Sequence, residues 1–528
     1  METLVYSALD TFLSHTAINF GPVRCSRFNY VWMFSVVSGF NWIQSTSPIA
    51  GPRGQDDWDW TQHQSLPEGT TEGATEGATE GKTDIWMYHV LQFVNSYLIL
   101  NMLAQTNASG SLLNSTILGL RNITQAELDA LSKPLIPCLN EWKTRWLVWY
   151  NTRAMDGSST LGPPTPDSLP NGIHTVNPWI IDQDFSEFPS TSQWASILLN
   201  PSNHQAQTYL AYNWQNVKTT CVPNYSTILQ TTSALFPTPT ERIQEISSLL
   251  STTNQLHTNQ EQKMIAELWA GNPGSVTPPG MFLWLWRQYT SAVKVSKNKG
   301  DSTFLFSGLD LATKLFETGR IVWCAKQHHM QARPIQEIRN HFAMTPVISY
   351  SGSTIPGCAW WPYQISTVIT PPFADFPSGH SAFGQIFALT MTEWFGPDIP
   401  TISTLRTNQN LFAKGLPPTA HEPFAWFTYP AGASQVEPGV VPARSLTLGK
   451  DWATWQDMAD SCGMSRQYGG IHANSAHIGS QVLASTLFHT MHWPITKPVC
   501  EIPKSNSPPP NTRSPQQSQE RTENTIRT

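Results

Sequence analysis

The chain has 528 residues and a mass of 58.9 kDa, enough for one large domain or two to three ordinary ones. Charged residues are only 13% and the formal net charge is −6, which excludes a broadly basic, nucleic-acid-binding surface and makes any cluster of cations a local feature. Hydrophobic residues at 40%, with 22 tryptophans, exclude wholesale disorder and point to extensive buried packing.

Residues 1–83 read as an N-terminal extension. Arg24 and Arg27, the apolar stretch from Phe28 to Ile43 and the small residues Ala50-Gly51 resemble a displaced signal sequence, although Glu2 and Asp10 precede it. Repeats of Thr-Glu-Gly over 68–81 cannot bury apolar surface and read as a flexible insert. The longest apolar runs, 31–43 and 85–103, are broken by Asn, Ser, His or Gln, so no membrane span is expected. Four N-x-S/T sequons (Asn107, Asn114, Asn122, Asn224) fit secretion without establishing it, and the compartment stays open. The cysteines (Cys25, Cys138, Cys221, Cys324, Cys358, Cys462, Cys500) form no C-x-x-C pair, which fits neither a zinc site nor a dense disulfide framework.

A helical pattern fills 84–500. The span 84–105 carries apolar groups on every turn, and Leu305, Leu309, Ala312, Phe316 and Trp323 line one helix face over 305–326. Phe383, Phe387, Thr390 and Trp394 form a second stripe over 380–395, and Ile478, Val482 and Leu487 a third over 473–491. Gly- and Pro-rich stretches at 162–171, 396–400 and 415–442 read as loops. Strand-like alternation is scarce. The expected fold is all-α with long loops, its active-site half at 260–490, followed by a disordered tail at 501–528.

Three pieces carry chemistry. In Lys326-Gln-His-His-Met-Gln-Ala-Arg333-Pro334 two cations follow an apolar helix face, and the proline pushes Arg333 out of helical conformation. Arg offers a planar fork for tetrahedral oxyanions and Lys a mobile point charge, although such residues at a helix end also serve as plain carbonyl caps. In Phe376-Pro377-Ser378-Gly379-His380 a cap-type serine and a glycine open a helix, where free N–H groups and the dipole favour an anion. Alone, this is equally a capped helix beside a surface histidine. In Ser465-Arg466-Gln-Tyr-Gly-Gly-Ile-His472 the glycines let the chain turn and place an imidazole just before the next helix, available as ligand or nucleophile.

Together the pieces resemble the K-x6-R-P, P-S-G-H and S-R-x5-H pattern of vanadium-dependent haloperoxidases and of the wider type-2 phosphatidic acid phosphatase superfamily. The flanks agree: Leu309-Asp310 and Trp323 before the lysine, Pro334-Ile335 and Ile338-Arg339 after the arginine, and Thr370-Pro371-Pro372-Phe373 before P-S-G-H. The resemblance is strong over 260–490, weaker over 180–220 (Phe188, Trp194, Trp214-Gln215) and absent before 84. It implies a haloperoxidase fold of two four-helix bundles and a vanadate cofactor. His472 would bind vanadium through Nε2. Lys326, Arg333 and Arg466 would neutralise the vanadate oxygens together with the Ser378 hydroxyl and the Gly379 N–H. His380 would be the acid–base residue, and Lys326 would also polarise the bound peroxide. Hydrogen peroxide, halide (bromide, with chloride a further candidate) and a small organic molecule are the implied substrates, and a homodimer the candidate assembly. Phe373 stands seven residues before His380, where algal bromoperoxidases carry His and fungal chloroperoxidases Phe, and is the halide-selectivity candidate.

Two departures stand out. Ala476 occupies the place of the family's usual Asp, four residues after the ligand histidine, and a Pro-rich insert fills 397–445. The imidazole then needs another acceptor for its Nδ1–H, expected to be a backbone carbonyl, a water or, less well placed, Asn474, with weaker vanadate retention as the consequence. The alternative function is a soluble acid phosphatase using the same pocket through a phosphohistidine, with His472 attacking phosphorus and His380 protonating the leaving group. Ala476 speaks against it, because a nucleophilic histidine needs an orienting carboxylate.

Overall fold

Apolar stretches punctuated by small polar residues fold as helices whose Ser and Asn side chains take up the indole N–H groups of the tryptophans. Trp146 donates to Ser35 Oγ at 2.8 Å, Trp142 to Ser38 Oγ at 3.2 Å and Trp32 to Asn95 Oδ1 at 2.7 Å. Each interruption thus satisfies a buried donor instead of marking a loop.

The computed structural model describes residues 1–16, 22–46, 76–101, 109–154, 192–200, 205–218, 225–272, 275–293, 303–399 and 426–491, with a few isolated residues between. The loop at 162–171, the tail at 501–528, most of the Thr-Glu-Gly insert and Phe188 lie outside them. The helices are α1 (Glu2–Thr16), α2 (Pro22–Thr46), α3 (Glu76–Asn101), α4 (Ser109–Arg121), α5 (Gln125–Ser132), α6 (Ile136–Ala154), α7 (Ser226–Ser233), α8 (Pro239–Asn254), α9 (Gln260–Leu268), α10 (Thr277–Val293), α11 (Thr303–His329), α12 (Pro334–His341), α13 (Gly379–Phe395), α14 (Trp455–Tyr468) and α15 (Asn474–Thr490). Strands among the described residues are short, such as the antiparallel pair Trp426–Tyr429 and Leu446–Leu448.

α11 is buried on all sides, its polar and charged residues Asp310, Thr313, Lys314, Glu317 and Arg320 included. One flank packs against α2 and α10, the other against α13, which in turn packs against α14 and α15. Its internal charges are paired where they are buried, Lys314 reaching Asp310 and Glu393 at 2.8 Å each. The described part of the 397–445 insert is anchored to α9, where Glu267 accepts hydrogen bonds from Ser434 Oγ at 2.5 Å and the Gln435 N–H at 2.6 Å.

The expected helices at 84–105, 305–326, 380–395 and 473–491 correspond to α3, α11, α13 and α15. The N-terminal boundary needs correction. α1 and α2 are not an extension beside the helical domain: Leu4, Leu9, Phe12, Trp32, Met33 and Val36 belong to the same core cluster as α11 and α13. The stretch that resembles a signal sequence is therefore the core helix α2. No helix among the described residues is long and apolar enough to cross a membrane.

α2 and α10 pack tightly on α11 at Gly308, where a Cβ would lie 2.5 Å from Trp286 Cζ2 and 2.7 Å from Met33 Cε. Gly308→Val should cost about 1–3 kcal/mol of stability through overpacking, read as a lower urea midpoint with an unchanged slope. A wild-type midpoint would mean that this crossing has slack.

Candidate active site

Lys326 occupies the last turn of α11, after which Met330, at φ 46°, turns the chain sharply. The turn is stapled to the segment 192–194 by Trp194 N–H to Met330 O at 2.7 Å and Ala332 N–H to Ser192 O at 2.9 Å. Arg333 is the N-cap of α12, held extended (φ −74°, ψ 148°) ahead of Pro334, as a residue before proline should be. Both side chains thereby point toward the loop at 370–380. Lys326 Nζ donates to the carbonyls of Ala374 (2.7 Å) and Asp375 (3.1 Å), and Arg333 Nε to that of Phe373 (2.6 Å).

Ser378 caps α13, its Oγ accepting from the Ser381 N–H at 3.4 Å. Its own N–H donates to Ala476 O at 2.9 Å, which ties the start of α13 to the first turn of α15. The N–H groups of Gly379 and His380 open the helix, where no intrahelical acceptor exists for them. Trp269 to Gly271 close over His380. Gly271 sits at φ +58°, and a Cβ there would come 3.4 Å from His380 Nε2. Arg466, near the end of α14, donates from Nε to Ser465 Oγ (2.9 Å) and from Nη2 to Ala266 O (2.6 Å).

His472 is the hinge of the site. Arg333 Nη1 donates to its Nε2 at 3.2 Å and to Ile471 O at 2.8 Å. A guanidinium can only donate, so Nε2 carries the lone pair and Nδ1 the proton. Nδ1 donates to Asp375 Oδ1 at 2.5 Å. This is where the sequence expectation fails. The acceptor is neither a backbone carbonyl nor Asn474, whose side chain instead pairs with Gln467 at 3.4 Å, but a fully buried carboxylate. Ala476 is buried and takes no part. The loop before P-S-G-H folds onto the imidazole and supplies, from the other side, what residue 476 lacks. The readable signal was an acidic residue inside the apolar run Phe373-Ala-Asp-Phe-Pro, upstream of the motif.

The electrostatics are those of an anion site. Lys326, Arg333 and Arg466 are 0%, 0% and 1% exposed, and their hydrogen-bonding partners are mainly backbone carbonyls. Burial and the charge of Arg333 push the Lys326 ammonium well below its usual range. Burial lowers the guanidinium groups of Arg333 and Arg466 to about 10. Burial, then Arg333, brings His472 down to about 3, so it is neutral and able to act as a ligand near pH 7. Burial, then Arg466 and His472, lowers His380 well below its ordinary value. Asp375 moves the other way: burial would raise it, but Arg242, His472 and Arg333 together hold it below the usual carboxylate range. Two buried atoms facing this region, Arg333 Nη2 and His380 Nε2, have no protein hydrogen-bond partner. Phe373 lies with its ring 5.0 Å from Lys326 Nζ, 4.8 Å from the Arg333 guanidinium and 4.9 Å from the Trp323 ring. Direct contacts thus link Lys326, Arg333, Phe373 and His472 and add Asp375, while the charge of Arg466 is felt at both Arg333 and His380.

Residues 305–492 match the family model of the VCPO second helical-bundle domain, and that segment contains all three motifs. Among solved structures, the chain is similar to an apo-type bacterial vanadium-dependent chloroperoxidase, at 16% identity over 90% of this chain and 95% of that one, with a TM-score of 0.59. A holo-type bacterial vanadium-dependent chloroperoxidase matches at 15% identity over 90% and 93%, TM-score 0.56. A bacterial vanadium-dependent iodoperoxidase matches at 15% identity over 93% and 95%, TM-score 0.52. At these identities the likeness establishes a shared fold, the all-helical haloperoxidase fold expected from the sequence. No curated protein matches the chain by sequence.

Because a carboxylate already fixes the tautomer of His472, Ala476→Asp should bring no gain in vanadate affinity, whereas Asp375→Asn should weaken it about 10–100-fold. Equilibrium dialysis of both variants against vanadate decides this; tighter binding by Ala476→Asp would show that Asp375 is not an adequate partner.

Proposed function

We propose that this chain is a vanadate-dependent haloperoxidase, which oxidises halide with hydrogen peroxide to a hypohalous acid that halogenates small organic molecules. The observation that carries the proposal is three buried cations and one neutral imidazole whose Nε2 accepts a hydrogen bond from one of them, Arg333. Such a donor set suits a tetrahedral oxyanion with one open coordination position, not a bare cation. The unpartnered Arg333 Nη2 and the helix N-terminus at Ser378 and Gly379 complete the fit. Vanadate held there would supply a Lewis acid that activates peroxide toward halide.

The chain's own residues do the rest. His472 offers Nε2 as ligand, held in register by Asp375. Lys326, Arg333 and Arg466 balance the oxyanion charge, with the Ser378 hydroxyl and the Gly379 N–H as further donors. Lys326 also stands ready to polarise peroxide. His380 takes the proton of incoming peroxide at Nε2. Burial, then Arg466 and His472, disfavours its charged form, and an anion on the Arg466 guanidinium would offset part of that. Phe373 presents an apolar ring at the same pocket, which excludes water from the oxidation site without adding a titrating group. Bromide is the proposed substrate, with chloride the harder case that this ring favours.

One observation supports a second reading, a phosphatase working through a phosphohistidine. Asp375 gives His472 the orienting carboxylate that Ala476 denied it, so the sequence argument against nucleophilic use of this histidine no longer holds. The buried donors suit phosphate as well as vanadate.

The test pairs two assays on one preparation: bromination with peroxide after vanadate loading, and phosphate-ester hydrolysis without vanadate. Bromination dominating supports the first reading, and hydrolysis alone the second. His380→Ala should retain vanadate yet lose about 10²–10⁴-fold in halogenation rate, the usual worth of a positioned base. Full activity in that variant removes His380 from the mechanism.

A further inference from the structure

Behind the oxyanion pocket lies a second layer of buried charge on α8, which falls outside the matched segment 305–492. Arg242, 4% exposed, donates from Nη2 to Asp375 Oδ2 at 2.8 Å, to Glu337 Oε2 at 2.6 Å and to Ala332 O at 3.2 Å. Its Nε donates to both Glu337 oxygens, at 3.1 and 2.9 Å. No hydrogen bond joins it to His472, Lys326, Arg333 or Arg466, and its charge is felt at Arg333 only as a minor effect behind burial and Asp375. One turn along the same helix face, Glu245 accepts from the Ser475 N–H (2.9 Å) and hydroxyl (2.7 Å), capping α15, whose own N-cap Ala473 has no side chain to do so. α8 therefore holds both the carboxylate behind His472 and the helix after it.

We infer that Arg242 is a positioning residue of the oxyanion site: through Asp375 it fixes the tautomer and orientation of His472, and so sets how tightly the pocket holds an oxyanion. The inference rests on the oxyanion reading of the pocket but not on which reaction follows. Asp375 has two oxygens with separate duties, Oδ1 on the imidazole and Oδ2 on the guanidinium. The guanidinium bridges Asp375 Oδ2 to Glu337 and to the Ala332 carbonyl, which holds the carboxylate with Oδ1 on Nδ1. Without Arg242 nothing on α8 holds Oδ2, the carboxylate is left facing Glu337, and the imidazole loses the fixed partner that keeps its proton on Nδ1 and its lone pair on Nε2. Arg333 does not substitute, because its Nη1 lies 3.8 Å from Asp375 Oδ1 and bonds to Ile471 O and His472 instead.

The test compares wild type with Arg242→Gln, Arg242→Lys, Asp375→Asn, the double variant Arg242→Gln/Asp375→Asn, and Ile246→Ala. The last loosens the same helix, since Ile246 is fully buried against Ile335 and Ile338, without touching the charges. Two quantities are read: vanadate affinity by equilibrium dialysis, and the ring-nitrogen chemical shifts of His472 in protein free of oxyanion. Arg242→Gln should lose about 10–100-fold in vanadate affinity and shift the proton off Nδ1, with Arg242→Lys intermediate because it keeps charge but not the fork. The double variant should be no worse than Asp375→Asn, since both act through one carboxylate. Ile246→Ala should lower the melting temperature and leave the ring shifts unchanged. Additive losses in the double variant, or an Nδ1–H tautomer retained in Arg242→Gln, would overturn the inference. Should Arg242→Gln fail to fold, Arg242→Lys decides by the same two readings. A wild type that binds no vanadate defeats the proposed function, while the ring shifts, which need no oxyanion, still decide the role of Arg242.

Discussion

Among the described residues, Asp375 is the one carboxylate within ion-pair distance of any of the buried Lys326, Arg333 and Arg466, and most of the site follows from how the chain tolerates that. Desolvating each ion costs several kcal/mol even after relaxation. The ordinary remedy is a carboxylate for every cation, and this chain withholds it. Lys326, Arg333 and Arg466 are satisfied chiefly by carbonyls of residues 374, 375, 373, 471 and 266, which solvate positive charge without cancelling it. Carbonyl solvation keeps the cations folded in place and leaves the pocket positive. An excess of buried positive charge of this kind would favour an anion that completes its electrostatics.

Carbonyls serve this purpose only where their peptides are held. The loop at 370–375 is pinned by Leu210 N–H to Pro372 O at 2.9 Å and by Asp375 N–H to Gln331 O at 3.0 Å. Tyr209 Oη accepts from the Ala374 N–H at 3.3 Å, and the Trp323 indole donates to Leu210 O at 2.9 Å. Residues 192–200 and 205–212 thus form a wall that fixes the carbonyls facing Lys326 and Arg333. The tentative likeness of Trp194 to the family acquires a physical meaning here: its ring packs on Tyr209 at 4.8 Å, inside the small cluster that also buries Ala374.

The sequence showed most of this where one residue type had one physical use. Periodic apolar stripes marked α11, α13 and α15, and the Pro334 and Pro-Ser-Gly signals located both helix starts that bear site residues. It misled where a residue has two uses. Ser35, Ser38 and Asn95 look like breaks in apolar runs, but inside a tryptophan-rich bundle they accept indole protons, and the family resemblance, absent before residue 84, offered nothing that placed α2 there. Asp375 was missed for another reason. A histidine's partner was sought along its own helix, whereas the fold brought it from a loop 97 residues away. Periodicity reports neighbours on one element and is silent about those that meet only on folding.

Supplying the carboxylate from that loop differs physically from supplying it four residues after the histidine. Asp375 contributes its backbone oxygen to Lys326 at 3.1 Å, Oδ1 to His472 and Oδ2 to Arg242. It lies three residues before Ser378, the cap of α13. A carboxylate on the histidine's own helix could orient the imidazole alone. From the loop, one residue makes Lys326, His472 and the helix N-terminus share a single backbone placement, so that a displacement of the loop disturbs all three together. Preorganisation of this kind costs reorganisation energy once, in folding, instead of at each binding event. It also explains how the position of Ala476 can be released to packing: buried beneath the helix start, its carbonyl accepts the Ser378 N–H, and its side chain is free to be small.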